Sequence, residues 1–232
     1  MKSILGIIPA RGHSKGVPRK NIRPLLAKPL LAYTVECARE SGVFERLVLS
    51  TDSGEIAAVG TELGLEVPFL RPPDLAQDDT PMRPVVEHML SSLEEQGWQT
   101  DIVVLLQPTS PLRQPRHIQE AVRLLQEWKC DSVVTVVEIP DRFAPQKALK
   151  LVDNRLQFFD PEGQRITRRQ MLEPMYSRDG TVYAFWRNTL MEKHSLYGDD
   201  WRPLILPLRE TLTIDTLDDW AEAEKRLQEM QS

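Results

Sequence analysis

The apolar residues of this chain fall into short blocks that alternate between two spacings. Ser3–Ile8 is a mostly apolar run that ends at Pro9 and reads as a buried strand. Residues 9–24 are rich in Gly, Pro, Arg and Lys and read as a loop. In Leu30–Ser41 the residues Leu31, Val35 and Ala38 stand at helical spacing, and Gly42 follows as a helix stop. Leu47–Ser50 is strand-like, Ser53–Leu63 helical up to Gly64, and Val67–Leu70 a short strand. A polar loop over Arg71–Thr80 leads to a helix at Pro84–Gln96. Ile102–Leu106 is the clearest buried strand, followed by a helix at Pro115–Trp128 and a strand at Ser132–Val137.

This alternation predicts an α/β domain with a mostly parallel sheet and helices on both faces. The rhythm breaks after residue 137. Lys147–Val152 and Arg155–Phe159 flank Asp153-Asn154 and predict a hairpin. An Arg-bearing segment, Arg165–Arg178, comes next, and a strand resumes at Thr181–Trp186. Thr216 opens a final helix with Asp219 three residues on, an approximate capping box. Open α/β sheets bind ligands at the carboxyl ends of their strands, so the informative residues are those just after strands.

Length and charge narrow the classes. The 232 residues suit one domain. A net charge of −5 argues against a nucleic-acid binder, which normally carries a basic excess. Cys37 and Cys130 lie far apart, outside any metal-binding spacing, as expected of free thiols in a reducing compartment. The four histidines show no zinc spacing. The run Ile4 to Ile8 is too short for a signal peptide, and no run approaches the length of a membrane span. These features point to the cytoplasm and away from a membrane.

The loop after the first strand breaks the acidic average. Arg11, Lys15, Arg19 and Lys20 fall within ten residues, interleaved with Gly12 and Gly16. Glycines let backbone N–H groups approach an anion, and the cations supply forked and point-charge contacts, so the loop suits a triphosphate. Neither GxxxxGK[ST] nor GxGxxG spacing is present. Taken alone, the loop also fits a solvated basic surface.

The stretch IPARGHSKGVPRKN at residues 8–21 resembles the signature of the acylneuraminate cytidylyltransferase family, the CMP-sialic acid synthetases. Further segments match in order: Lys28-Pro29-Leu30, Ser50-Thr51-Asp52, Arg71 to Ala76 with Asp78-Asp79-Thr80, Gln107 to Arg113 (QPTSPLR), Arg178-Asp179-Gly180 with Tyr183, and Asp215-Thr216. The resemblance spans essentially the whole chain. It implies a Rossmann-like sheet of the nucleotide-diphospho-sugar transferase type with a small dimerisation extension, here residues 138–178. It also implies CMP transfer from CTP to an acidic nine-carbon sugar in a homodimer that uses Mg²⁺.

By that resemblance Arg11, Lys15 and Lys20 are the catalytic cations, with Ser14 beside them on the triphosphate. Asn21, Arg71 and Thr80 bind the cytidine. Gln107, Ser110, Arg169, Arg178 and Tyr183 face the sugar or the phosphates, Leu196 and Tyr197 contact its N-acyl group, and Asp215 binds the metal. The residues themselves leave alternatives open: Gln107 and Ser110 also fit a turn built on Pro108 and Pro111, and Arg169 one member of a solvated basic run. Two features depart from the family pattern. Thr213 stands where the family often has a second aspartate, and the segment Arg169 to Pro174 is one residue longer, which leaves Arg168 as an alternative to Arg169. A cytidylyltransferase for another 2-keto-deoxy sugar acid such as Kdo shares the architecture, although the intact QPTSPLR favours the nonulosonic branch. A catalytically weakened nucleotide-sugar binding protein is the non-enzyme alternative, favoured only by Thr213.

Overall fold

The computed structural model describes residues 2–166 and 168–231, apart from the side chains of Arg169 and Gln231. The strands are β1 (Ile4–Pro9), β2 (Pro24–Leu25), β3 (Lys28–Pro29), β4 (Arg46–Ser50), β5 (Ile102–Leu105), β6 (Ser132–Glu138), β7 (Leu149–Val152), β8 (Arg155–Phe158), β9 (Tyr176–Trp186) and β10 (Trp201–Ile205). The helices are α1 (Leu30–Ser41), α2 (Gly54–Glu62), α3 (Met82–Glu95), α4 (Pro115–Trp128), α5 (Arg187–Met191) and α6 (Leu217–Gln231). The central sheet has the order β10-β6-β9-β5-β1-β4. Its pairs are parallel except where β9 runs antiparallel between β5 and β6.

The apolar runs are continuous because both faces of the sheet are covered. On β5, Ile102 and Val104 join one core with α1, α2 and α4, while Val103 and Leu105 join a second core with α3 and α5. Side chains alternate faces along a strand, so a slip of one residue would exchange the two cores. Full burial of each such side chain contributes about 1.5–3 kcal/mol, which holds the register. A third cluster packs Trp220 and Ala223 of α6 against Val17 and Ile214, so the C-terminal helix braces the basic loop. The capping box that starts α6 is reciprocal: Thr216 N donates to Asp219 Oδ2 (2.8 Å) and Asp219 N donates to Thr216 Oγ1 (3.2 Å).

Several boundaries differ from those the pattern predicts. Val67–Leu70 is not a strand. Its neighbour Glu66 makes one isolated bridge to Val48, and Pro68 can donate nothing to a ladder. β9 begins five residues before Thr181, and its polar first half carries no apolar period. That half pairs with β6 past a register shift between Val134 and Val136. Thr135 fills the break, its hydroxyl donating to Val182 O (3.1 Å) and accepting from Val182 N (2.9 Å). The hairpin β7–β8 is present, with Asp153 and Asn154 both at positive φ as its two-residue turn. No helix among the described residues is long and apolar enough to cross a membrane.

Candidate active site

The carboxyl ends of β1 and β5 open onto one cleft with two compartments. The first, about 270 Å³, is walled by the basic loop, the 71–85 segment and the turn after β5. The second, about 370 Å³, is walled by β9 and the 196–197 segment. They meet at Met82, Gln107 and Thr213, which line both.

Arg11, Ser14, Lys20 and Asn21 line the first compartment, as does Arg71 across from them. The loop's path is set by backbone bonds: Gly12 N donates to Asp52 Oδ1 (2.9 Å), Ala10 N to Ser50 O (2.9 Å), and the Asn21 amide to Arg11 O (3.0 Å). Asn21 is buried, so it shapes the loop from beneath as well as lining the cleft. Lys20 reaches across to the C-terminal segment, with Nζ 2.7 Å from Ile214 O and 3.2 Å from Asp215 Oδ1. Thr80 lines the wall, and its hydroxyl donates to Asp74 O (3.3 Å).

Two features of this compartment fit an anionic ligand. The Asp78 carboxylate bridges Arg11 (3.0 Å) and Lys15 (2.8 Å), so a carboxylate stands on two of the cations expected to hold a triphosphate. The hydrogen bond from Lys15, with the charges of Lys15 and Arg11, holds the Asp78 carboxyl below its ordinary value. Lys15 itself is 80 % exposed and stands outside the residues that line the cleft. Arg71 is buried against Asp52 at 3.9 Å, and burial pushes its guanidinium pKa down. Its Nε is buried and has no hydrogen-bond partner among the described residues.

The second compartment brings together Gln107, Arg178, Tyr183, Leu196 and Tyr197 from three separate stretches of chain. Arg178 hydrogen-bonds the Tyr197 hydroxyl, and its guanidinium lies 5.3 Å from the Tyr197 ring centroid. Burial pushes the Tyr183 phenol up to about 12, so it remains a neutral donor. Ser132 Oγ fixes the other wall by donating to Tyr197 O (2.7 Å). Ser110 is buried beneath the turn and does not line either compartment. The side chain of Arg169 lies outside the described residues.

The structure adds residues that sequence motifs did not single out for the site. Met82 and Thr213 sit where the compartments join, and Asp179 lines the second. Thr213, noted only as a departure, donates its hydroxyl to Asp179 O (2.8 Å) and so ties the C-terminal segment to β9. No group of three or more His, Cys, Asp or Glu spaced to hold a metal occurs among the described residues. Asp215 is the acidic residue that lines the first compartment, beside Lys20. Mg²⁺ is commonly held by one or two carboxylates together with substrate phosphates, and this donor set fits that arrangement rather than a protein-built cage.

A family model described as Cytidylyltransferase matches residues 5–224. The CMP-N,N'-diacetyllegionaminic acid synthase of Legionella pneumophila is 37 % identical over 227 residues, covering 97 % of this chain and 96 % of that protein. The N-acylneuraminate cytidylyltransferase of Escherichia coli O18:K1:H7 is 33 % identical across 91 % of this chain, which spans about half (49 %) of that longer protein. The pseudaminic acid cytidylyltransferase of Campylobacter jejuni is 31 % identical, covering 93 % of this chain and 92 % of that protein. Among solved structures, a CMP:2-keto-3-deoxy-manno-octonic acid synthetase complexed with CTP superposes with a TM-score of 0.75, covering 98 % of this chain and 99 % of the other. At 15 % identity that likeness shows a shared fold.

Proposed function

The chain belongs to the cytidylyltransferase family, and from that premise we propose that it joins CMP from CTP to the anomeric hydroxyl of a nonulosonic acid and releases pyrophosphate. It is a nucleotidyltransferase, as its named relatives are. The observation that carries the acceptor reading is the paired cleft. A compartment lined by Arg11, Lys20 and Arg71 adjoins one where Arg178 stands among Tyr183, Leu196 and Tyr197. A sugar acid needs one fixed cation for its carboxylate and an apolar wall for an acyl group, and the second compartment supplies both.

In the proposed reaction the anomeric oxygen attacks the α-phosphorus in line as the bond to the β-phosphate breaks. Protein groups contribute chiefly by position and charge. Arg11 and Lys20 hold the β- and γ-phosphates, and Lys15 joins them when the triphosphate replaces Asp78. Arg71 lines the nucleotide end, with Thr80 and Asn21 shaping it. Gln107, at the junction, orients both substrates, and Arg178 meets the sugar carboxylate. Asp215 would hold Mg²⁺, which when bound offsets charge on the phosphates. CTP is an intracellular nucleotide, so the reaction implies a cytoplasmic location. Kdo as the acceptor is less favoured, because the relatives at 31–37 % identity are named for nine-carbon acids and the likeness to the Kdo enzyme is one of fold.

The test is pyrophosphate release with CTP, Mg²⁺ and a panel of legionaminic, pseudaminic and N-acetylneuraminic acids and Kdo, with UTP, ATP and GTP as controls. Release with CTP and a nine-carbon acid is expected. Release with Kdo alone would overturn the acceptor assignment.

We also propose a homodimer built on residues 138–178. Leu151 and Leu156 of the hairpin are 68 % and 69 % exposed, and Phe143, Leu149, Phe159 and Met171 are also exposed. A two-stranded hairpin is marginal in water, and an apolar cluster of this kind is a partner surface. Light scattering at micromolar concentration should give twice the chain mass, and Leu151→Asp with Leu156→Asp should return it to the monomer. A monomeric wild type would refute the dimer.

A further inference from the structure

Arg113 closes the QPTSPLR segment but lies under the cleft, not in it. Only 6 % of the residue is exposed. Its guanidinium donates three hydrogen bonds: Nε to Thr181 O (2.6 Å), Nη1 to Thr34 Oγ1 (2.8 Å) and Nη2 to Gln107 O (2.5 Å). Among the described residues no carboxylate pairs with it. Cys37 is nearby, but burial pushes that thiol up to about 11, so it is neutral at pH 7. Burial also lowers the Arg113 pKa to about 10, which still leaves it charged, with Asp179 as a nearby carboxylate. A buried cation without a contacting counterion is expensive, and is kept only where its hydrogen bonds accomplish something an apolar residue could not.

What the three bonds accomplish is visible in the acceptors. Gln107 O belongs to the residue that leaves β5 for the cleft, and Thr181 O to the residue after Gly180 on β9. Between them the surface is tight. Gly180 has φ +79°, and a Cβ built there would lie 2.6 Å from Gln107 Oε1. Gln107 and Gly180 both line the second compartment. Gln107 and its turn also border the nucleotide compartment, but that compartment's other walls, the basic loop and the 71–85 segment, receive no bond from Arg113.

We propose that Arg113 is the positioning residue of the second compartment: its buried guanidinium clamps the turn after β5 to β9 and so sets the Gln107 carboxamide over Gly180, where the acceptor's polar groups are met. This rests on the reading of that compartment as the sugar-acid site. The proposal predicts a larger loss for the sugar acid than for CTP, because the β9 end of the clamp, beside Asp179 and Gly180, borders the second compartment alone, whereas Gln107 lines both.

Arg113→Lys keeps the charge, but one ammonium cannot span three separated acceptors with the guanidinium's fixed fork. For the folded variant, kcat/KM for the sugar acid should fall at least about tenfold, the loss of one charge-assisted hydrogen bond. The CTP Kd from calorimetry should rise by clearly less than that tenfold step, because the basic loop and Arg71 on the nucleotide side are not held by Arg113. Leu125→Ala, a core truncation in α4 outside the cleft, serves as the comparison for lost stability and should leave the sugar kinetics unchanged. Gly180→Ala should reproduce the split without touching Arg113, which keeps the proposal testable if Arg113→Lys does not fold. Hydrogen exchange needs no acceptor: amides of 107–113 and 178–181 should exchange faster in Arg113→Lys than in Leu125→Ala. Unchanged sugar kinetics in Arg113→Lys or Gly180→Ala, parallel loss of CTP affinity, equal kinetic loss in Leu125→Ala, or unchanged exchange would each overturn it. Wild-type enzyme that binds CTP yet turns over no sugar acid would instead count against the acceptor reading, while the exchange comparison still judges the clamp.

Discussion

Lys20→Ala should lower turnover by about 10²–10³, the usual cost of deleting one preorganised charge or donor aimed at transition-state charge. Lys20 is the cation of the basic loop for which geometry argues most strongly. Its side chain is only 13 % exposed, and its ammonium is fixed between Ile214 O and Asp215 Oδ1 before any ligand arrives. Little reorganisation is then needed when charge develops on the departing pyrophosphate. Lys15, by contrast, is exposed and paired with Asp78, so its contribution depends on first losing that partner. The measurement is steady-state pyrophosphate release at saturating CTP, and Lys28→Ala, on a lysine paired with Glu36 away from the cleft, is the control. Turnover of the Lys20 variant within twofold of wild type would remove this lysine from the proposed mechanism.

Gly16→Ala is expected to be almost as damaging, for a reason of space rather than charge. A Cβ on Gly16 would lie 1.9 Å from the backbone oxygen of Asp215, which is impossible without movement of one segment. Neither segment is free to yield. Val17 and Ile214 are fully buried in the cluster under α6, so relief at Gly16 must come by displacing the basic loop from the Asp215 segment. A displacement near 1 Å in a positioning site costs about 10²-fold in rate. Circular dichroism should show the fold retained while kcat/KM falls. A Gly16→Ala enzyme with wild-type kinetics would mean that the contact between loop and C-terminal segment is dispensable.

Those two expectations differ in how far the sequence could lead to them. Lys20 stands in a dense run of cations after the first strand, and both its charge and its family resemblance are readable from the linear order. Gly16 is readable as a glycine that lets a backbone approach an anion. Its contact with Asp215, about two hundred residues on, is a fact of packing alone. The same division runs through the fold. The α4 boundaries, Pro115–Trp128, coincide with the pattern, because Pro at the first helical position and a strong apolar stripe are local signals. β10 and α5 carry no such signal. Trp201–Ile205 holds Pro203, which argues against a central strand but is tolerated at an edge, and Arg187–Met191 is too short to show a period.

Local order, then, determined the alternating α/β architecture, the basic loop for a triphosphate, and the motifs that carry the family resemblance, since each depends on residues within a few positions of one another. Tertiary structure alone decided that Ser110 lies beneath the cleft, that Asp78 rests on Arg11 and Lys15, and that Thr213 is tied to Asp179 at the junction of the two compartments. The reason is geometric. Strand and helix periods arise from backbone steps of two and 3.6 residues, and so leave a trace in the chain. Contacts between strand ends depend on sheet order and on β9 reversing direction between β5 and β6, which no local spacing records.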